Sequence, residues 1–132
     1  MKTILIVEDN PADAWLIEEA FRETLFPTKR YFVQDGLEAL AFLRREGEHS
    51  TAPRPDLIFL DLNIPKIDGR AVICTIHADE ELRRIPVVVT SGSADELKKV
   101  RQTLKGIRHF LVKPANLDAY IAQVSALMQI LE

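Results

Sequence analysis

Residues 55 to 65 read Pro55-Asp56-Leu57-Ile58-Phe59-Leu60-Asp61-Leu62-Asn63-Ile64-Pro65. The apolar run from Leu57 to Leu60 ends in a single carboxylate and is closed by Pro65, the pattern of a strand buried on both faces that delivers Asp61 to its carboxyl edge. Residues 3–7, 30–33, 86–90 and 110–112 have the same character. The first leads into Glu8-Asp9, the run at 86–90 into Ser91-Gly92 and the last into Lys113-Pro114. In an open parallel sheet those strand ends line the crevice where ligands bind.

Helical periodicity fills the intervals between the strands. Pro11 suits a first helical turn, and residues 12–25 place Leu16, Ile17, Ala20 and Phe21 on one face before Pro27. Asp35-Gly36 opens a second helix with a stripe of Leu37, Leu40, Ala41 and Leu43, ending before Gly47. Asp68-Gly69 leads into a third at 70–79, with Val72, Ile73 and Ile76 inward and Cys74 off the stripe. Ser93 and Glu96 form the pattern of a capping box for a fourth helix, which uses Leu97, Val100 and Leu104 and ends near Gly106. Asn116 caps a last helix, 117–132, through Leu117, Ile121, Val124, Met128 and Leu131. Right-handed crossovers turn this alternation into one α/β domain over 1–132, a parallel sheet with helices on both faces, and leave the strand order open.

Beyond its sheet-facing stripe the last helix also carries Tyr120, Leu127 and Ile130, an arc wider than one buried face requires. The expectation is a homodimer through that helix.

Seventeen Lys and Arg against twenty Asp and Glu give a net charge of -3, with the positive residues scattered, so nothing supports nucleic-acid binding. One cysteine excludes an internal disulfide and a Cys-rich metal site. No apolar stretch approaches the ~20 residues of a membrane helix, and no signal segment opens the chain, so no membrane partner and a cytoplasmic location are expected. His49, His77 and His109 stand alone and read as solvated rather than as ligands. The segment 47–54 reads as a long loop without a chemical role.

Glu8, Asp9 and Asp61 at adjoining strand ends crowd three negative charges, which a hard cation would neutralise; without one, a carboxylate pKa should rise. Mg²⁺ fits best, because it takes few carboxylates and commonly adds phosphate oxygens. A carboxylate beside Mg²⁺ can accept a phosphoryl group, Lys113 can supply an ammonium to it, and the Ser91 hydroxyl can bond another of its oxygens.

On these residues the chain resembles the receiver domains of two-component response regulators, over its whole length. Glu8-Asp9 is similar to the acidic pair after strand one, and Asp61 to the phosphoacceptor. Pro65 with Asp68-Gly69 resembles the pattern downstream of the acceptor, Ser91 the switch hydroxyl and Lys113-Pro114 the family lysine and proline. The resemblance implies a flavodoxin-like fold, strand order 2-1-3-4-5 with five helices, for which a chemotaxis receiver is a standing example. It also implies Mg²⁺ held by Asp9, Asp61 and the Asn63 carbonyl, with Glu8 acting through water, Phe110 as a switch aromatic and a cis Lys113-Pro114 bond. Such a chain is not an enzyme in its own right. It accepts phosphate from a sensor histidine kinase or a histidine phosphotransfer protein.

More narrowly, Ser50-Thr51-Ala52-Pro53-Arg54-Pro55 and Arg84-Ile85-Pro86-Val87-Val88-Val89 resemble single-domain receivers partnered with phytochrome-type kinases. Two departures stand out: Glu8 replaces an Asp, and Ala115-Asn116 stand where many receivers carry an aromatic. Two rivals remain. An Asp-nucleophile phosphohydrolase would need a second Asp where Asn63 stands, and a non-phosphorylated binding adaptor would need none of Asp9, Asp61, Ser91 and Lys113 together.

Overall fold

The computed structural model describes residues 1–131. Strands and helices alternate: β1 (Lys2–Val7), α1 (Pro11–Glu23), β2 (Thr28–Val33), α2 (Gly36–Arg44), β3 (Leu57–Asp61), α3 (Gly69–His77), β4 (Val87–Ser91), α4 (Ala94–Thr103), β5 (His109–Val112) and α5 (Leu117–Leu131). Residue 132, expected to close the last helix, lies outside the described residues. All strands pair in parallel, in the order β2-β1-β3-β4-β5 expected for a flavodoxin-like receiver.

Each strand divides its residues between two cores, because successive side chains point to opposite faces. Ile4, Ile6, Leu57, Phe59 and Val88 pack beneath α1 and α5 with Ile17, Phe21 and Val124. Leu5, Val7, Ile58, Leu60 and Val89 pack beneath α2, α3 and α4 with Leu40, Ile73 and Val100. β3 lies at the centre and is buried throughout, which places Asp61 in the middle of the sheet edge.

Short polar side chains start every helix by accepting backbone N–H groups. Asn10 takes those of Ala12 and Asp13 at 2.9 and 3.0 Å, and Asp35 takes Glu38 at 2.7 Å. Asp68 takes Ala71 at 3.1 Å, Ser93 takes Glu96 at 3.1 Å and Asn116 takes Ala119 at 2.9 Å. Each such cap contributes about 1 kcal/mol.

Several expectations are corrected. α1 stops at Glu23, and Leu25 beyond it is fully exposed. α2 buries Gly36, Ala39, Leu40, Phe42 and Leu43, while Leu37 is exposed and Ala41 only half-buried. The reason is that glycine and alanine at 36 and 39 let the helix approach closely, so its packing face is rotated from the one that large apolar residues suggest. His49 is half-buried against the Phe42 ring at 5.3 Å rather than solvated, in a 3₁₀ turn at Gly47–His49. The Lys113-Pro114 bond is trans.

On α5, Tyr120 and Leu127 are buried in the fold beside Val124 and Met128. Ile130 alone is an exposed large hydrophobic among the described residues of that helix. The wide apolar arc behind the expected homodimer is therefore used within the chain, since α5 packs on α1 as well as on the sheet.

Two glycines bring helix starts against the chain that follows Asp61. A side chain at Gly36 would run into the backbone carbonyl of Ile67, and one at Gly69 would sit 2.7 Å from the Leu62 Cα. Their amides use the same proximity: Gly36 N–H donates to the Pro65 carbonyl at 3.3 Å and Gly69 N–H to the Leu62 carbonyl at 3.1 Å.

Candidate functional site

The sheet ladder continues one residue beyond the strand ends and sets the site. Glu8 N–H donates to the Val33 carbonyl at 3.0 Å, Leu62 N–H to that of Thr90 at 3.0 Å and Lys113 N–H to that of Ser91 at 2.8 Å. Glu8, Asp61, Ser91 and Lys113 thus emerge from four neighbouring strands along one edge.

Lys113 Nζ draws the carboxylates together. It lies 2.8 Å from Asp61 Oδ2, 2.9 Å from Glu8 Oε1 and 3.0 Å from Asp13 Oδ2. Burial pulls its ammonium pKa down, but the hydrogen bonds to Asp61, Glu8 and Asp13 outweigh this and hold it above the ordinary lysine value. The other oxygen of Asp61, Oδ1, accepts the Asn63 N–H at 3.0 Å, so both oxygens of the expected acceptor are oriented.

Glu8 is the carboxylate whose pKa rises. Burial pushes it up to about 7, with the Asp61 charge adding to the rise and Lys113 opposing it. Its Oε2 accepts the Asn10 N–H at 3.2 Å, and its buried Oε1 is met by the Lys113 ammonium at 2.9 Å. Asp9 is exposed at the rim.

Ser91 is fully buried. Its hydroxyl donates to Glu96 Oε1 at 2.6 Å and its oxygen accepts the Ser93 N–H at 3.0 Å. The Asn63 side-chain amide donates to the same Glu96 oxygen at 2.9 Å. Phe110 is half-buried in β5, with the Arg101 guanidinium 4.9 Å from its ring centre.

Asp13 and Glu96 were not foreseen at the site. Both stand in the first turn of a helix, where an acid is accounted for by the helix dipole, and only the fold turns them toward Lys113 and Ser91.

Glu8, Asp9 and Asp61 offer carboxylate oxygens that lie within 4.8 Å of one another. The raised Glu8 pKa and the all-oxygen donor set of Glu8, Asp9 and Asp61 fit a hard divalent cation.

The model of the response regulator receiver domain matches residues 4–125. The chain belongs to that family. Response regulator Rcp1 of Synechocystis sp. is 39% identical to this receiver over 126 residues, covering 96% of this chain and 86% of Rcp1. The crystal structure of the Mn²⁺-bound form of Rcp1 superposes with a TM-score of 0.83 at 37% identity, over 98% of this receiver and 93% of that chain. The phosphorylated cyanobacterial phytochrome response regulator RcpA gives a TM-score of 0.87 at 44% identity, over 98% and 92% of the two chains. Binding of a divalent metal is thus a property of a relative.

Proposed function

We propose that residues 1–132 form one receiver whose Asp61 accepts a phosphoryl group from a histidine of a phytochrome-type sensor kinase or of a histidine phosphotransfer protein, in a Mg²⁺-dependent reaction in the cytoplasm. The observation that carries this reading is the Lys113 ammonium 2.8 Å from Asp61 Oδ2, beside the Glu8 and Asp9 carboxylates. The Mn²⁺-bound form of Rcp1 and the phosphorylated phytochrome response regulator RcpA support the metal, the modification and the kinase class.

An Asp61 oxygen attacks phosphorus, the bond from phosphorus to the donor histidine nitrogen breaks, and its electron pair returns to the imidazole. Lys113 balances charge on the phosphoryl oxygens, and the Ser91 hydroxyl can donate to one of them. Bound by Asp9, Asp61 and the Asn63 carbonyl, with Glu8 through water, Mg²⁺ would neutralise the same oxygens. Asn63 cannot serve as the proton-transferring group of an Asp-nucleophile phosphohydrolase, and its amide is engaged by Glu96. The chain then acts as a phosphoacceptor rather than as an enzyme on small molecules, and Ser91 with Phe110 forms its switch.

Acetyl phosphate and Mg²⁺, followed by intact-mass measurement, test the reading. One added phosphoryl group, lost in Asp61→Asn, is expected. No addition favours a binding adaptor, and continuous phosphate release without accumulation favours a hydrolase. A homodimer through α5 would have to use Ile130 and the exposed side of that helix; a solution mass that drops on Ile130→Lys supports it, and a monomeric wild type removes it.

A further inference from the structure

Glu96 stands outside the residues given a part in phosphoryl transfer, yet it holds two of them. Its Oε1 accepts from the Ser91 hydroxyl at 2.6 Å and from the Asn63 amide at 2.9 Å, and its Oε2 pairs with Arg70 Nη2 at 3.5 Å. Those partners come from the end of β4, the turn after β3 and the first turn of α3. One carboxylate at the start of α4 therefore ties together the segments around Asp61. The Ser91 hydrogen bond is the main cause that holds the Glu96 carboxyl below its ordinary pKa, with Asn63 and Arg70 contributing, so it is ionised at neutral pH.

This arrangement is a helix cap put to a second use. In a capping box the N3 glutamate returns to the N-cap amide. Here only half of the box forms: Ser93 Oγ accepts the Glu96 N–H at 3.1 Å, whereas the Ser93 N–H goes to Ser91 Oγ at 3.0 Å. Relieved of the Ser93 amide, the Glu96 carboxylate reaches across the crevice.

A serine hydroxyl has one proton to donate. While Glu96 takes it, a phosphoryl oxygen on Asp61 cannot. We propose that Glu96 is a latch, a positioning residue that commits the Ser91 proton and the Asn63 amide to α4 in the unphosphorylated receiver and must release Ser91 before the phosphorylated state forms. The proposal rests on Asp61 being the acceptor. On release the proton stays on Ser91 oxygen and only its acceptor changes, from Glu96 to the phosphoryl group. Glu96 remains a carboxylate and keeps Asn63 and Arg70.

The test compares wild type, Glu96→Gln and Glu96→Ala. Gln keeps an acceptor oxygen but removes the charge, and hydrogen bonds to charged groups are roughly twice as strong as neutral ones. Acetyl phosphate labelling with Mg²⁺ should speed up on the order of tenfold in Glu96→Ala and less in Glu96→Gln, the size expected for losing one charge-assisted bond. In the unphosphorylated, metal-free protein, NMR should show faster water exchange of the Asn63 side-chain amide in both variants. The Phe110 ring signals should also move toward their positions in the phosphorylated wild type. If Glu96→Ala does not fold, Glu96→Gln and Arg70→Ala carry the same comparison. Folded variants with wild-type exchange, wild-type Phe110 signals and wild-type labelling rate would overturn the latch. A wild type that takes no phosphoryl group removes the acceptor assignment and the latch with it, whereas a labelled wild type with unchanged variants removes the latch alone.

Discussion

Burial makes Glu8 the carboxylate of the site that is hardest to ionise, and the neighbouring Asp61 charge adds to this. Its carboxyl is protonated up to about pH 7 in the folded chain but ionises near 4.5 when unfolded. The folded state thus binds more protons between those values, so stability is full below pH 4.5 and is lost as pH rises through 7. For the metal-free chain the loss is on the order of 3 kcal/mol. Glu8→Gln should remove that dependence, giving a urea midpoint that is flat from pH 5 to 8, where the wild type declines. Mg²⁺ should restore the wild type above pH 7 and stabilise the variant less, since only a ligand acting through water is lost. An equal pH slope in both proteins would place the titrating group elsewhere.

At the scale of elements, β4 carries Ser91 and β5 carries Phe110, the pair proposed as the switch. Ser91→Ala, phosphorylated on Asp61, should lack the change in Phe110 side-chain signals that accompanies phosphorylation of the wild type. Equal changes in both would show that the ring moves independently of the hydroxyl. α5 offers a second contrast. Ile130→Lys lies on its exposed side and should leave folding stability within about 0.5 kcal/mol, whereas Leu127→Ala removes buried packing and should cost about 2 to 5 kcal/mol. Denaturant melts of the two variants check this, and equal losses would contradict the placement of α5. These elements were legible to different degrees for physical reasons. The β3 run and the one-sided stripe of α3 name their own neighbours, because large β-branched and aliphatic residues have one place to go. The face of α2 is set instead by what Gly36 and Ala39 lack, and Tyr120 reads as surplus until its ring is seen in the core.

For the molecule as a whole, the sheet order turns sequence-distant carboxylates, a hydroxyl and an ammonium into one edge, and it does so by backbone pairing alone. That is why Glu8, Asp61, Ser91 and Lys113 could be named from strand ends. Asp13 and Glu96 could not, since nothing in a helical first turn says which strand it will face.

The two close-fitting glycines have a genetic consequence. A random screen for loss of phosphorylation should return not only acceptor and metal positions but also Gly36 and Gly69, neither of which carries a side chain to do chemistry. Gly69→Ala must displace the Leu62 backbone, against which its Cβ would sit at 2.7 Å, and with it the Asp61 carboxylate one residue earlier. Such alleles should look like catalytic lesions in a labelling assay and like packing lesions in a melt. Second-site suppressors should then fall among residues 62–67, where the chain can yield, rather than at the acidic pocket.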